Sequence, residues 1–167
     1  MRRILRRREV VEDDWRLAGE EGGDAAGSPA LILPFAEFRT HIAKWRAYPG
    51  RLGVRLSPAD AAEDLAEDIQ RLSLVAAEFP TPGEGRGYTQ GRLLRSRLQF
   101  KGELRAVGAA VKQDLLFILA RCGFDSFELA AGQKVEEALR ALERYSVAYQ
   151  PAEPVPSIRQ QRYSAAA

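Results

Sequence analysis

Short apolar runs alternate with amphipathic stretches along the chain from Ala30 onwards. The apolar runs are rich in Val, Leu, Ala or Phe and have the length of buried strands. They cover residues 30–33, 52–56, 74–79, 103–107, 126–129 and 146–149. The stretches between them repeat apolar residues every three or four positions, which is the helical period. The apolar stripes of these predicted helices begin at Phe35, Ala61, Leu93, Val111 and Val135, and the third helix is predicted to begin near Tyr88.

The repeated strand–helix order predicts an α/β domain, because parallel strands are joined by right-handed helical crossovers. Two architectures fit the pattern. One is a partial TIM-like barrel, which a second copy in a homodimer would complete. The other is an open three-layer sheet with helices on both faces.

The flanking segments differ from this repeat. Residues 1–29 form a β-rich lead and a Gly/Ala/acid loop, residues 30–150 form the βα-repeat domain, and residues 151–167 read as an extended or disordered tail. Five arginines lie among the first eight residues, but no apolar segment of a secretion signal follows them. The lead is therefore predicted to be a basic edge strand or hairpin.

Length, composition and charge limit the kinds of protein that this chain can be. With 167 residues, 46% hydrophobic and 29% charged, the chain suits one globular domain. A net charge of +2 is too small to indicate nucleic acid as a partner. No apolar run approaches the roughly 18 residues of a membrane span. Cys122 is the only cysteine, which excludes an internal disulfide and favours the reducing cytoplasm.

Charged residues interrupt the four internal predicted strands, one in the middle of each. Strands buried on both faces normally read as continuous apolar runs, so each charge needs a partner. The set consists of Arg55, Glu78, Arg105 and Glu128, and its alternating signs predict a polar ladder. Two interpretations of this ladder are open. It is either a structural ion-pair network or a polar core that binds a substrate or an anion. In the second case Glu78 or Glu128 is the candidate catalytic acid–base group.

The glycine-rich loop at residues 80–87 precedes a basic predicted helix. Open backbone N–H groups and a helix N-terminus favour a bound anion. The candidate ligand-binding residues are Arg86, Gly87, Tyr88, Arg92 and Arg105. The loop matches neither a Walker motif nor the dinucleotide-binding fingerprint. With His41 as the only histidine and no cysteine cluster, the sequence predicts no metal site, and it leaves any cofactor unknown.

A set of short sequence segments, spread over roughly residues 10–151, together resembles a bacterial family of unknown function. They are Val11-Glu12-Asp13-Asp14-Trp15, Glu78-Phe79-Pro80, Gly85-Arg86-Gly87-Tyr88-Thr89-Gln90, Arg92-Leu93-Leu94-Arg95, Lys101 to Gly108, Arg121 to Glu128, and Ser146-Val147-Ala148-Tyr149-Gln150. The family pattern has an acidic residue where this chain has Ala109. The simpler interpretation is that the acidic residue caps a helix in other members, rather than that it is catalytic.

Members of that family are commonly labelled as oxidoreductases involved in sulfite reduction. The resemblance implies an accessory or interaction protein of bacterial assimilatory sulfite reduction. Its partners would be sulfite reductase or neighbouring sulfur-assimilation enzymes, together with a small anion. The alternative is an oxidoreductase of that pathway with a non-covalently bound soluble cofactor. A third hypothesis assigns the polar core to folding alone.

Overall fold

The computed structural model describes residues 2–19 and 27–143. The strands are β1 (Arg3–Arg6), β2 (Glu9–Glu12), β3 (Arg16–Leu17), β4 (Ala30–Pro34), β5 (Arg51–Leu56), β6 (Leu74–Glu78), β7 (Glu103–Val107) and β8 (Ser126–Phe127). They form one sheet in the order β2-β1-β8-β7-β6-β5-β4-β3. Neighbours from β3 to β8 pair in parallel, while β1 is antiparallel to both β2 and β8. The lead is thus a basic hairpin, as predicted.

The helices are α1 (Phe35–Thr40), α2 (Ile42–Arg46), α3 (Arg86–Ser96), α4 (Leu116–Arg121) and α5 (Val135–Glu143). Two short 3₁₀ helices, Ala62–Leu65 and Ile69–Arg71, connect β5 to β6. The prediction of one amphipathic α-helix there is wrong. Acidic side chains four residues apart along this segment repel one another in an α-helix, which favours its interruption. The predicted strand at 146–149 and the tail at 151–167 lie outside the described residues.

A short link between opposite edges makes the sheet curl. Residues Asp13, Asp14 and Trp15 alone connect β2 to β3, which lie at the two ends of the strand order. The four Cα steps from Glu12 to Arg16 span at most about 14 Å. A flat eight-stranded sheet would separate its edge strands by about 34 Å. The sheet therefore curls into a half-barrel.

The strand order also decides where the helices lie. From β4 to β8 each strand pairs with the next one along the chain, always stepping in the same direction. Right-handed crossovers then place all connecting helices on one face of the sheet. This arrangement agrees with the partial-barrel prediction and not with a three-layer sheet.

The two faces of the sheet have separate apolar cores. Alternate strand residues, including Leu33, Val54 and Leu104, point outwards into the large core beneath the helices. The inner face carries a smaller cluster of buried residues, namely Trp15, Ala30, Ile32, Leu74, Ala76 and Val107. Because this inner cluster is already buried within a single chain, it does not require a second copy to cover it.

Helix α3 approaches the sheet closely because glycines replace side chains on its inner surface. A Cβ atom on Gly87 would lie 2.5 Å from the Phe79 ring, and one on Gly91 would overlap the Phe124 ring. The Phe79 ring makes edge-to-face contacts with Phe124 at 5.7 Å and with Tyr88 at 5.1 Å. Within the described ranges, no helix is long and apolar enough to cross a membrane.

We expect Gly91→Ala to destabilise the protein. Alanine favours the helix by about 1 kcal/mol, but overlap with a buried ring costs about 1–3 kcal/mol. Gly83→Ala is the matched control, because no atom lies within 4 Å of its Cβ position. Urea denaturation should show a lower midpoint for Gly91→Ala and a change within about 0.5 kcal/mol for the control. Equal midpoints would contradict the close packing of α3.

Candidate functional site

The most buried charge in the described residues is Arg105 on the inner face of β7. Its side chain is 0% exposed, and the Asp13 side chain beside it is 1% exposed. One terminal nitrogen of Arg105 donates to both Asp13 oxygens at 3.0 Å. Nε and the other terminal nitrogen donate to Glu103 at 2.9 and 2.7 Å. Each of the three guanidinium nitrogens therefore donates to a carboxylate, either from the link or from its own strand.

This ion pair belongs to a larger inner-face network, formed by Arg2, Arg6, Asp13, Glu103, Arg105 and Glu128. Arg2 donates to Asp13 at 2.6 Å and to Glu128 at 2.8 Å. Arg6 lies 3.6 Å from Glu103. Guanidinium and carboxylate groups are equal in number, so the network is electrically balanced without a bound ion.

The four residues of the predicted ladder divide among different partners. Strand register places Arg55 and Arg105 level with Ala76 of β6 on the same face of the sheet. Arg55 donates to Glu78 at 2.9 Å, and both side chains are partly exposed where β5 and β6 end. Arg105 pairs within the inner-face network, and Glu128 pairs with Arg2.

Sequence reasoning missed four members of this network, namely Arg2, Arg6, Asp13 and Glu103. Glu103 lies two residues before Arg105, and the period of a strand puts both side chains on one face. That signal was present in the sequence. Asp13 and Arg2 come from the N-terminal lead, and nothing in their local pattern connects them with β7. Only the curl of the sheet brings them there.

The glycine-rich loop follows β6 and leads into α3, where the sequence predicts a bound anion. Arg86 begins the helix and donates to Glu84 through Nε at 2.9 Å and a terminal nitrogen at 2.7 Å. Its backbone N–H donates to the same carboxylate at 3.0 Å. These hydrogen bonds lower the pKa of Glu84 from 4.5 to about 2. The chain thus supplies its own anion at this helix N-terminus.

The remaining candidate ligand-binding residues do not converge on the loop. Gly87 packs beneath the Phe79 ring, and Tyr88 contacts the same ring. Arg92 is exposed on the side of α3, and Arg105 is on the inner face of β7. The structure does not bring the five residues into one pocket, and the anion site remains a prediction.

Cys122 lies where α3 and α4 meet. Burial raises the pKa of its thiol, and the nearby positive charges of Arg92 and Arg121 only partly oppose this effect. A raised pKa disfavours the reactive thiolate. Burial also raises the pKa of the neighbouring Tyr88. These groups have the protonation states of packed side chains rather than of activated nucleophiles.

Arg95 supports the fold rather than a ligand. It donates to the backbone carbonyls of Phe100, Gly102 and Gly123 at 2.7–2.9 Å, and it lies 3.3 Å from Asp125. One side chain thereby connects α3 with the loops before β7 and β8.

Over residues 2–19 and 27–143, no group of three or more His, Cys, Asp or Glu side chains is placed to hold a metal ion. The model of a family described as bacterial protein of unknown function (DUF934) matches residues 53–157, from β5 to beyond α5. No curated protein matches the chain.

Removal of Asp13 should destabilise the protein strongly. Asp13→Ala leaves the buried Arg105 guanidinium without its bidentate partner, which costs about 3–5 kcal/mol. Asp14→Ala is the adjacent control, because Asp14 is 54% exposed and its ion pair with Arg51 lies on the surface. We expect that control to cost about 0–1 kcal/mol. Both values are obtained from chemical denaturation.

The double variant Asp13→Ala/Arg105→Met should be more stable than Asp13→Ala, because it restores equal numbers of guanidinium and carboxylate groups in the inner-face network. If Asp13→Ala were no more harmful than Asp14→Ala, the buried ion pair would not stabilise the half-barrel.

Carboxyl NMR titration should give a pKa for Glu84 of about 2. Because the folded-state pKa lies below the ordinary value of 4.5, this group stabilises the fold above pH 4.5. That contribution is lost as the pH falls from about 4.5 towards 2. Arg86→Ala should return the pKa towards its ordinary value, and an unchanged titration would show that Arg86 is not the cause.

Proposed function

Because the chain belongs to the bacterial DUF934 family of unknown function, we propose its function from its motifs and its exposed surface. It is an accessory or interaction protein of bacterial assimilatory sulfite reduction, acting in the cytoplasm. It binds sulfite reductase or a neighbouring enzyme of sulfur assimilation through an acidic region of that partner. The link to sulfite reduction is supported by the family resemblance of its motifs.

The choice of a binding role rests on one surface feature. This feature, which we call the docking patch, consists of Arg92, Ile118 and Arg121. Ile118 on α4 is 50% exposed and is the exposed large hydrophobic residue of the described part of the chain. Arg121 lies one helical turn further along the same face. Arg92 of α3 and Arg121 both act electrostatically on Cys122, so the Arg92 side chain lies near the same end of α4.

An exposed apolar side chain with two arginines nearby has the composition of a protein-binding surface. Interface centres are enriched in apolar anchors and arginine, and charged groups around them steer a complementary partner. The partner that fits the docking patch presents carboxylates around a small apolar depression. Binding should weaken as salt is added, because exposed charges are screened.

The alternative of an oxidoreductase has less structural support. Its candidate acid–base groups, Glu78 and Glu128, already accept hydrogen bonds from Arg55 and Arg2. A general acid or base has to reach the reacting atoms of a substrate. A flavin absorbance band in the purified protein would favour this alternative over the binding role.

Calorimetric titration with purified sulfite reductase of the same bacterium tests the proposal. We expect the double variant Arg92→Glu/Ile118→Asp to bind at least about tenfold more weakly than the wild type, which corresponds to about 1.4 kcal/mol. Arg16→Glu is the control, because Arg16 is an exposed arginine on the edge strand β3. Its affinity should change less than about twofold, and absence of binding by the wild type would overturn the proposal.

A further inference from the structure

Exposed basic residues collect at one edge of the half-barrel, where the parallel strands begin. Backbone hydrogen bonds join the strands along this edge from the β1–β2 turn to β6. Arg7 donates its backbone N–H to Asp125 at 2.7 Å. Glu103 donates to Ser73 at 2.9 Å. The basic edge consists of four exposed residues in the turn and in the segments that lead into β6 and β7, namely Arg8, Arg71, Arg97 and Lys101. None of them belongs to the docking patch.

The side chains of the basic edge make no ion pair within residues 2–19 and 27–143. Asp125 lies at the same edge, but its carboxylate already has Arg7 at 3.6 Å and Arg95 at 3.3 Å. The exposed acid nearest to Arg8 along the chain is Glu9, which is a single carboxylate against four cations. The basic edge therefore has an excess of positive charge that a partner could balance.

The turn that presents Arg8 is built from residues that disfavour its backbone conformation. Arg7 and Arg8 have φ angles of 50° and 66°, and Gln99, in the segment that leads into β7, has 54°. Among the described residues, these are the non-glycine positions with positive φ, and all of them lie at this edge. Two-residue hairpin turns with positive φ are usually formed by Asn-Gly or Asp-Gly. Folding alone therefore does not explain why arginine occupies both positions of the turn.

Helix ends explain part of the basic edge. Arg71 ends a 3₁₀ helix and Arg97 follows α3, so both cations interact favourably with the C-terminus of a helix. This effect is confined to the last turn of a helix. Lys101 lies well beyond the end of α3, and Arg8 is in a hairpin turn. The helix ends therefore account for two of the four cations and leave Arg8 and Lys101 for a partner.

From this excess of charge and the arginine turn, we propose that the basic edge binds an acidic, extended segment of a partner polypeptide. Three strand spacings separate β1 from β6, which is a distance of about 14 Å. An extended segment presents side chains on one face about every 7 Å. Three carboxylates at alternate positions therefore match the length of the basic edge. Arginine suits such a partner, because it binds a carboxylate through two parallel hydrogen bonds.

A polypeptide with carboxylates fits the basic edge better than a single-stranded nucleic acid does. Proteins that bind single strands stack the bases on aromatic side chains. In the described part of the chain, no Phe, Tyr or Trp side chain is exposed. Carboxylates need only the cations that this edge offers.

Fluorescence anisotropy with labelled decaglutamate as the probe tests this assignment. We expect the wild type to bind decaglutamate with a dissociation constant of about 0.1 mM or lower at about 20 mM salt. The affinity should fall about tenfold or more at about 200 mM salt, because exposed charges are screened. Labelled decathymidylate carries a similar charge and should bind more weakly, because its bases find no aromatic side chain. Equal or tighter binding of decathymidylate would assign the basic edge to nucleic acid instead.

Variants locate the binding within the protein. Arg8→Asn/Lys101→Gln should weaken decaglutamate binding about tenfold, because it removes two charged hydrogen-bond donors from the basic edge. Lys112→Gln/Lys134→Gln is the matched control. Both of these lysines are exposed, but they follow β7 and β8 and so lie at the opposite edge of the sheet. The control removes the same charge and should change the affinity less than about twofold.

Thermal unfolding separates a binding role of Arg8 from a role in folding. Asparagine adopts positive φ more readily than arginine, so Arg8→Asn should unfold at the same temperature as the wild type or at a higher one. A lower unfolding temperature would show that Arg8 serves the fold. Two further results would overturn the proposal. They are no binding of decaglutamate by the wild type up to about 1 mM, and equal losses of affinity in the edge variant and its control.

Discussion

Burial of the Arg105 guanidinium is the constraint on which the half-barrel depends. A charge without solvent needs carboxylates within hydrogen-bond distance, and its own strand supplies only Glu103. The other carboxylate is Asp13, in the link that joins the two edges of the sheet. The same residue that balances the charge therefore holds the link in place. Charge compensation and the curvature of the sheet are coupled through one side chain.

The sequence motifs that resemble the family do not reveal a reaction, because their residues have structural roles. Phe79, Gly87 and Phe124 pack α3 against the sheet, and Arg95 connects α3 to two loops. Arg86 binds Glu84 of its own loop. In each case the feature that makes the residue distinctive in the sequence has a structural cause. The motifs determine how closely the helices and strands of the half-barrel pack together. They do not identify catalytic residues.

The sequence predicted the order and type of most elements, because apolar periodicity and parallel pairing are local signals with one common solution. It placed Arg55 and Glu78 on neighbouring strands, where they pair. It could not identify Asp13 as the partner of Arg105, because that contact joins residues 92 positions apart. The segment between β5 and β6 was misjudged for a different reason. Its apolar stripe has the helical period, but its acidic side chains and its ion pair with Arg46 favour shorter 3₁₀ turns.

The balanced interior also limits where a partner or ligand can act. Each carboxylate of the inner-face network already accepts from an arginine, so an ion entering there would have to displace a buried bond. Exposed groups that a partner could contact lie on the helical side instead. Ile118 is exposed there, and the exposed Arg71 makes no ion pair with any described residue. Recognition in this half-barrel is accordingly expected on the outer, helical layer, while the barrel interior serves to close the sheet.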